Sequence, residues 1–187
     1  MLETANPLID IDALIERMRS EVERRRTPTD DGVANNAGIR LISPGMIIRF
    51  DEKGNAAPFL RAGWSSAESE HRWTDGDAAT LHFEIPDRPV DLLLSFTVTP
   101  ILAPNITAQT ATAEWNGVPI GQWTVDRPGP FHTIVWSRLQ QESRLVTLCF
   151  RLPNALRPVE HNVGKDGRKL ALAFRELTLR PTRDLGF

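Results

Sequence analysis

The chain has 187 residues, of which 41% are hydrophobic and 25% charged, with a formal net charge of -2. These values suit one soluble domain, or a domain with a short appendage, and the slight acidity excludes a non-specific nucleic-acid binder. The single cysteine, Cys149, excludes an internal disulfide and any multi-cysteine metal site. No apolar run approaches the ~20 residues that cross a bilayer, and the acidic, amphipathic start lacks the pattern of a secretory signal. The expectation is a soluble, cytoplasmic protein.

In chain order, residues 1–26 read as an N-terminal amphipathic α-helix. Ile11, Leu14, Ile15, Met18 and Val22 fall on one helical face. Asp10 or Asp12 suits the N-cap, and Arg24, Arg25 and Arg26 place cations at the C-terminal end of the dipole. Pro28 and Gly32 stop the helix, and residues 27–38 are rich in turn formers and read as a linker. From residue 39 to 187 the period is that of strands. Short β-type runs are expected at 46–50, 80–85, 91–98, 109–115, 118–125, 131–136, 144–152 and 169–180. Asn116-Gly117 between two of them is a type I′ hairpin signal, since that turn needs positive φ at both central positions. In the last run the apolar phase shifts between Phe174 and Leu177, which predicts a bulge or a break there.

Many short strands separated by prolines, with no βαβ alternation, predict an all-β fold: an antiparallel, jelly-roll-like β-sandwich over 39–187, preceded by the helix. Trp115, Trp123 and Trp136 fall at strand positions and are expected in the core or as cross-strand partners. Charge is uneven. Residues 51–91 carry nine acids against four bases, and 138–183 carry ten bases against four acids. Interleaved strands would bring the two together and neutralise them in part; the alternative is a basic patch for an anionic ligand, which an arginine-rich set of bases suits.

The sequence holds no P-loop, GxGxxG, HExxH or GxSxG motif. The histidines His71, His82, His132 and His161 are scattered, so no metal site and no cofactor is predicted. Cys149, between Leu148 and Phe150, reads as a small buried hydrophobe. Residues 62–86 are the densest in chemistry, with Trp64, Glu68, Glu70, His71, Arg72, Trp73, Asp75 and Asp77 within fourteen positions. Indoles beside carboxylates and guanidinium suit sugar recognition: the ring stacks on the CH face of a pyranose and planar charged groups take its hydroxyls in pairs. The bland alternative is that Trp64 and Trp73 cap the sandwich core. A second segment, 151–179, carries a long polar loop between two strands, and its Asp166 and Arg168 have the reach to return to the first cluster. Glycoside hydrolysis needs two carboxyl groups at a defined separation, which sequence does not give for Glu68, so a binding role is preferred and no enzyme is predicted. Asp75 and Asp77 leave bound calcium open, although that ion wants six to eight oxygens.

At these two segments the chain resembles the carbohydrate-binding-module-like β-sandwich domains encoded in bacterial surface-polysaccharide gene clusters, often attached to glycosyltransferases or methyltransferases. The first motif is carried here by Gly63, Trp64, Glu68, His71, Trp73, Thr74, Gly76, Ala79 and Leu81. A later one is carried by Pro158, Gly164, Asp166, Arg168, Leu170, Leu172, Ala173 and Phe174, with altered spacing after the proline. The helical stretch 9–26 resembles the start of proteins from such clusters. The resemblance implies a non-catalytic accessory module of exopolysaccharide or O-antigen biosynthesis that takes an oligosaccharide or polysaccharide. Its ligand residues would be Trp64, Glu68, His71, Arg72, Trp73, Asp166 and Arg168. The alternative is a protein–protein adaptor that docks a partner glycosyltransferase or methyltransferase through residues 9–26. Homodimerisation through the same stripe stays open.

Overall fold

The computed structural model describes residues 39–86, 89–140 and 143–185. The helix expected over 1–26 and the linker over 27–38 lie outside the described residues. Among the described residues ten strands follow in order. They are β1 (Ile47–Arg49), β2 (Trp64–Ala67), β3 (Arg72–Asp75), β4 (Ala78–Glu84) and β5 (Leu92–Pro100). Then come β6 (Gln109–Trp115), β7 (Val118–Val125), β8 (Gly129–Val135), β9 (Leu145–Arg151) and β10 (Leu170–Pro181).

The strands form two antiparallel sheets. One runs β2-β3-β10-β5-β8 with β1 also on β10, and the other runs β4-β9-β6-β7. From β3 onward the chain alternates between the sheets except at the β6–β7 hairpin. The resulting orders β3-β10-β5-β8 and β4-β9-β6-β7 are those of a jelly roll. Alternation explains the layering. In β4, Ala79, Leu81 and Phe83 are wholly buried while Thr80, His82 and Glu84 stay half-exposed.

Between the sheets the core is aromatic. Phe96 of β5 meets Phe150 of β9 at 5.1 Å and Phe174 of β10 at 5.7 Å, ring centre to ring centre. Phe174 continues to Phe50 at 5.4 Å. Trp115 is wholly buried, edge-on to Phe83. Trp123 packs edge-on to Phe96 at 5.0 Å. Trp136 departs from the core expectation. It is 46% exposed at the end of β8, with the Arg138 guanidinium 6.0 Å from its ring. The β8 run carries large apolar residues at both parities, Phe131 and Val135 on one face and Ile134 and Trp136 on the other, so alternation alone does not assign its inner face.

Two local expectations are met. Asn116 and Gly117 take φ of 50° and 83° between β6 and β7, the paired left-handed turn that a two-residue hairpin requires. The register of β10 against β5 slips between Phe174 and Glu176, at the phase shift read from the sequence. The slip leaves Arg175 and Glu176 both exposed between buried Phe174 and Leu177.

Candidate functional site

The 62–77 cluster folds as a β-hairpin on the rim of the six-stranded sheet. Its turn closes with the Glu68 amide donating to the His71 carbonyl at 2.8 Å. At the base, Gly63 has φ of 84°, and a Cβ there would lie 1.8 Å from the Ala78 carbonyl oxygen. Only glycine lets β2 pass this close to β4. Thr74 in β3 is wholly buried, and its hydroxyl accepts a hydrogen bond from the Leu172 amide of β10 at 3.1 Å. That contact locks the inner face of β3 to β10 and turns Trp73 and Asp75 outward.

The hairpin therefore divides the predicted residues between two faces. Trp64 turns inward. Its ring lies 5.0 Å from Phe50 and 5.1 Å from Phe174, and its indole N–H donates to the Thr80 carbonyl at 2.9 Å. This is the core-capping role. Arg72 shares the parity of Thr74 and pairs opposite Phe174. One terminal nitrogen donates to the Ser65 carbonyl at 3.3 Å, while Nε is buried without a partner. Burial lowers the pKa of this guanidinium below the ordinary arginine range.

Trp73 lies on the outer face, paired opposite Ala173. Ala173 lies outside the inter-sheet core cluster that holds its neighbours Leu172 and Phe174. The His71 ring stands edge-on to Trp73 at 5.5 Å, with the planes at 89°. His71 Nε2 is 3.2 Å from Glu68 Oε2, an ion-pair distance without hydrogen-bond alignment. The other oxygen of Glu68 accepts from Arg168 Nη2 at 3.3 Å. Arg168 arrives from the loop between β9 and β10, one hundred positions away, so the anticipated return of that loop to the hairpin is present.

Asp166 holds Arg168 in place. It accepts the Arg168 backbone amide at 2.8 Å, Nε at 2.9 Å and Nη2 at 2.6 Å. These bonds hold the Asp166 carboxyl below the usual carboxylate range and raise the guanidinium above its own. The loop is tied down on both sides. The Val159 amide donates to the Asp166 carbonyl, and the Arg157 guanidinium to the Gly167 carbonyl. His161 Nδ1 sits 3.1 Å from Asn105 Oδ1 at the neighbouring loop.

Glu68, His71, Trp73, Asp166 and Arg168 are thus brought together, while Trp64 and Arg72 face the other way. One contributor is absent from the sequence reading: Arg175, whose guanidinium donates to Glu70 at 2.9 Å and pins the hairpin tip. The phase shift that predicted a bulge is its signal, because a bulge in a buried strand sends one side chain out of the ladder. Asp75 accepts the Lys169 amide at 3.1 Å, and the Lys169 ammonium pairs with Asp77. Among the described residues, no group of three His, Cys, Asp or Glu side chains is placed to hold a metal ion. Nor is any helix among them long and apolar enough to cross a membrane.

No protein-family model matches the chain, and no curated protein does. Solved structures do match. The carbohydrate-binding module CBM36, solved with calcium and xylotriose, is 10% identical, with 72% of this chain and 98% of that one covered and a TM-score of 0.38. BtGH115A, a 4-O-methyl-α-glucuronidase with specificity for decorated arabinogalactans, is 11% identical over 83% of this chain and 18% of that one, with a TM-score of 0.43. The mosquito-larvicidal toxin Cry4Aa from Bacillus thuringiensis is 7% identical over 59% and 19%, with a TM-score of 0.37. This chain spans less than a fifth of the length of either of the last two. Likeness at this level carries no argument about function, so the functional reading rests on the site itself.

Proposed function

We propose that the protein is a non-catalytic carbohydrate-binding module whose binding surface is the outer face of the β2–β3 hairpin. The observation that carries this reading is the placement of Trp73. Its indole lies on the outer face of the sheet, edge-on to His71 and beside the pre-arranged Glu68–Arg168–Asp166 network. An indole face accepts the CH face of a pyranose, and the carboxylates and guanidinium at its side take hydroxyl groups. Because Asp166 and Glu68 fix the guanidinium before any ligand arrives, little side-chain entropy remains to be lost on binding. The motif resemblance supports a place in cytoplasmic assembly of bacterial surface polysaccharide, beside a glycosyltransferase or methyltransferase.

The test is a glycan array of bacterial polysaccharide fragments, probed with the wild type and with Trp73→Ala. The expected result is saturable binding to a limited set of glycans, reduced at least about tenfold in a variant whose melting curve is unchanged. Absence of binding to every glycan would overturn the reading and leave the hairpin as a structural cap.

A further inference from the structure

The charges around Trp73 narrow the class of sugar. Arg168 is already held by two carboxylates, Asp166 and Glu68. Arg175 is held by Glu70, and Lys169 by Asp77. These three cations, Arg168, Arg175 and Lys169, have four carboxylate partners between them. Arg72 has no carboxylate partner among the described residues, but it lies on the opposite face.

We infer that this surface selects neutral pyranosides over uronic acids, with Glu68 as the discriminating residue; the inference rests on the carbohydrate reading above. A uronate carboxylate placed beside Trp73 meets the negative end of the network. Nε and Nη2 of Arg168 are taken by Asp166 and Glu68, so a uronate has only the Nη1 donors of that guanidinium, and there its charge sits beside two carboxylates already on the same cation. A neutral hydroxyl has no such cost. It donates to a free lone pair of Glu68 or Asp166 while both stay on Arg168, since each ionised carboxyl offers about four acceptor positions. Glu68 is the nearer gate. It joins Arg168 to His71, which itself contacts Trp73. Its side chain is 39% exposed, so a ligand on the indole reaches it without rearrangement of the loop.

The experiment is a titration against matched pairs: cellotriose with β-1,4-triglucuronate, and β-1,4-mannotriose with β-1,4-trimannuronate. The same neutral and uronic pairing is applied to every glycan retained on the array. The wild type is expected to bind the neutral member about tenfold more tightly at low salt. That ratio should shrink at 0.5 M salt, where the repulsion is screened. Glu68→Gln removes the charge and should bring the ratio to about twofold or threefold. Glu114→Gln makes the same charge change on the other sheet and should leave the ratio at its wild-type value.

Equal or tighter uronate binding by the wild type overturns the inference and leaves the carbohydrate reading standing. A ratio unchanged in Glu68→Gln, with its melting curve intact, overturns the role of Glu68. The salt series keeps the test decisive if that variant does not fold. No binding to any glycan overturns the carbohydrate reading, and the inference falls with it.

Discussion

Trp64 and Trp73 stand nine positions apart on one hairpin and have opposite surroundings. Trp64 is enclosed by Phe50 and Phe174, with its indole N–H spent on a backbone carbonyl. Trp73 lies over an alanine on the outer face, touched edge-on by a histidine. Composition treats the two alike. What separates them is the backbone beneath: Gly63 sets the approach of β2 to β4, and the Thr74 hydroxyl fixes β3 on β10. The lesson is that a tryptophan's role follows from the parity that neighbouring strands impose.

The largest way to break this division is at Gly63. Replacement by alanine puts a methyl group into the Ala78 carbonyl and forces a side chain onto a positive φ. The expected cost is about 3 kcal/mol or more, read as a lower midpoint in urea unfolding with the slope unchanged. A loss under about 0.5 kcal/mol would mean that β2 can move off β4 and that the division does not depend on this glycine.

A sharper comparison is between the two tryptophans. Trp64→Ala is expected to cost about 3 kcal/mol, as for a large core truncation. Trp73→Ala is expected to stay within about 1 kcal/mol of the wild type. Chemical denaturation of both variants measures the difference directly. Equal losses would place both indoles in the core and remove the surface on which a sugar would stack.

The sandwich was legible because its strands alternate. The eight runs read from residues 46–180 all overlap strands, and two of them, Gln109–Trp115 and Val118–Val125, coincide with the observed limits. The Asn116-Gly117 turn and the β10 bulge were legible for local reasons of φ and of phase. The β2–β3 hairpin was not read as strands. Its segments are four residues each, mixed in polarity, and extended chiefly because β10 supplies a ladder for β3. The site was legible by residue type but not by face. Nothing local to Trp64 or Arg72 says which way it turns, and the Arg168–Glu68 contact spans one hundred positions. Parity also failed at Trp136, where both faces of β8 carry large apolar side chains.

The smallest expected effect tests whether the outer network is as fixed as the geometry implies. Hydrogen bonds from Arg168, side chain first and backbone second, hold the Asp166 carboxyl below its ordinary range. A carboxyl whose pKa is lower in the folded state adds stability above the unfolded value of about 4, and that stability is lost as pH falls through the folded value. The group is partly exposed, at 32% of its side-chain surface, so the stability change stays under about 1 kcal/mol and a melting curve is a poor gauge. Carbon-detected NMR of the Asp166 carboxyl is the better one. In the wild type its midpoint is expected below that of an ordinary aspartate, and in Arg168→Met it should return to the ordinary range. An ordinary midpoint in the wild type would mean that Arg168 is not held at rest. The Glu68 link from Arg168 to His71, and through it to Trp73, would then be mobile, and the contrast with the rigid packing around Trp64 would be one of order as well as of face.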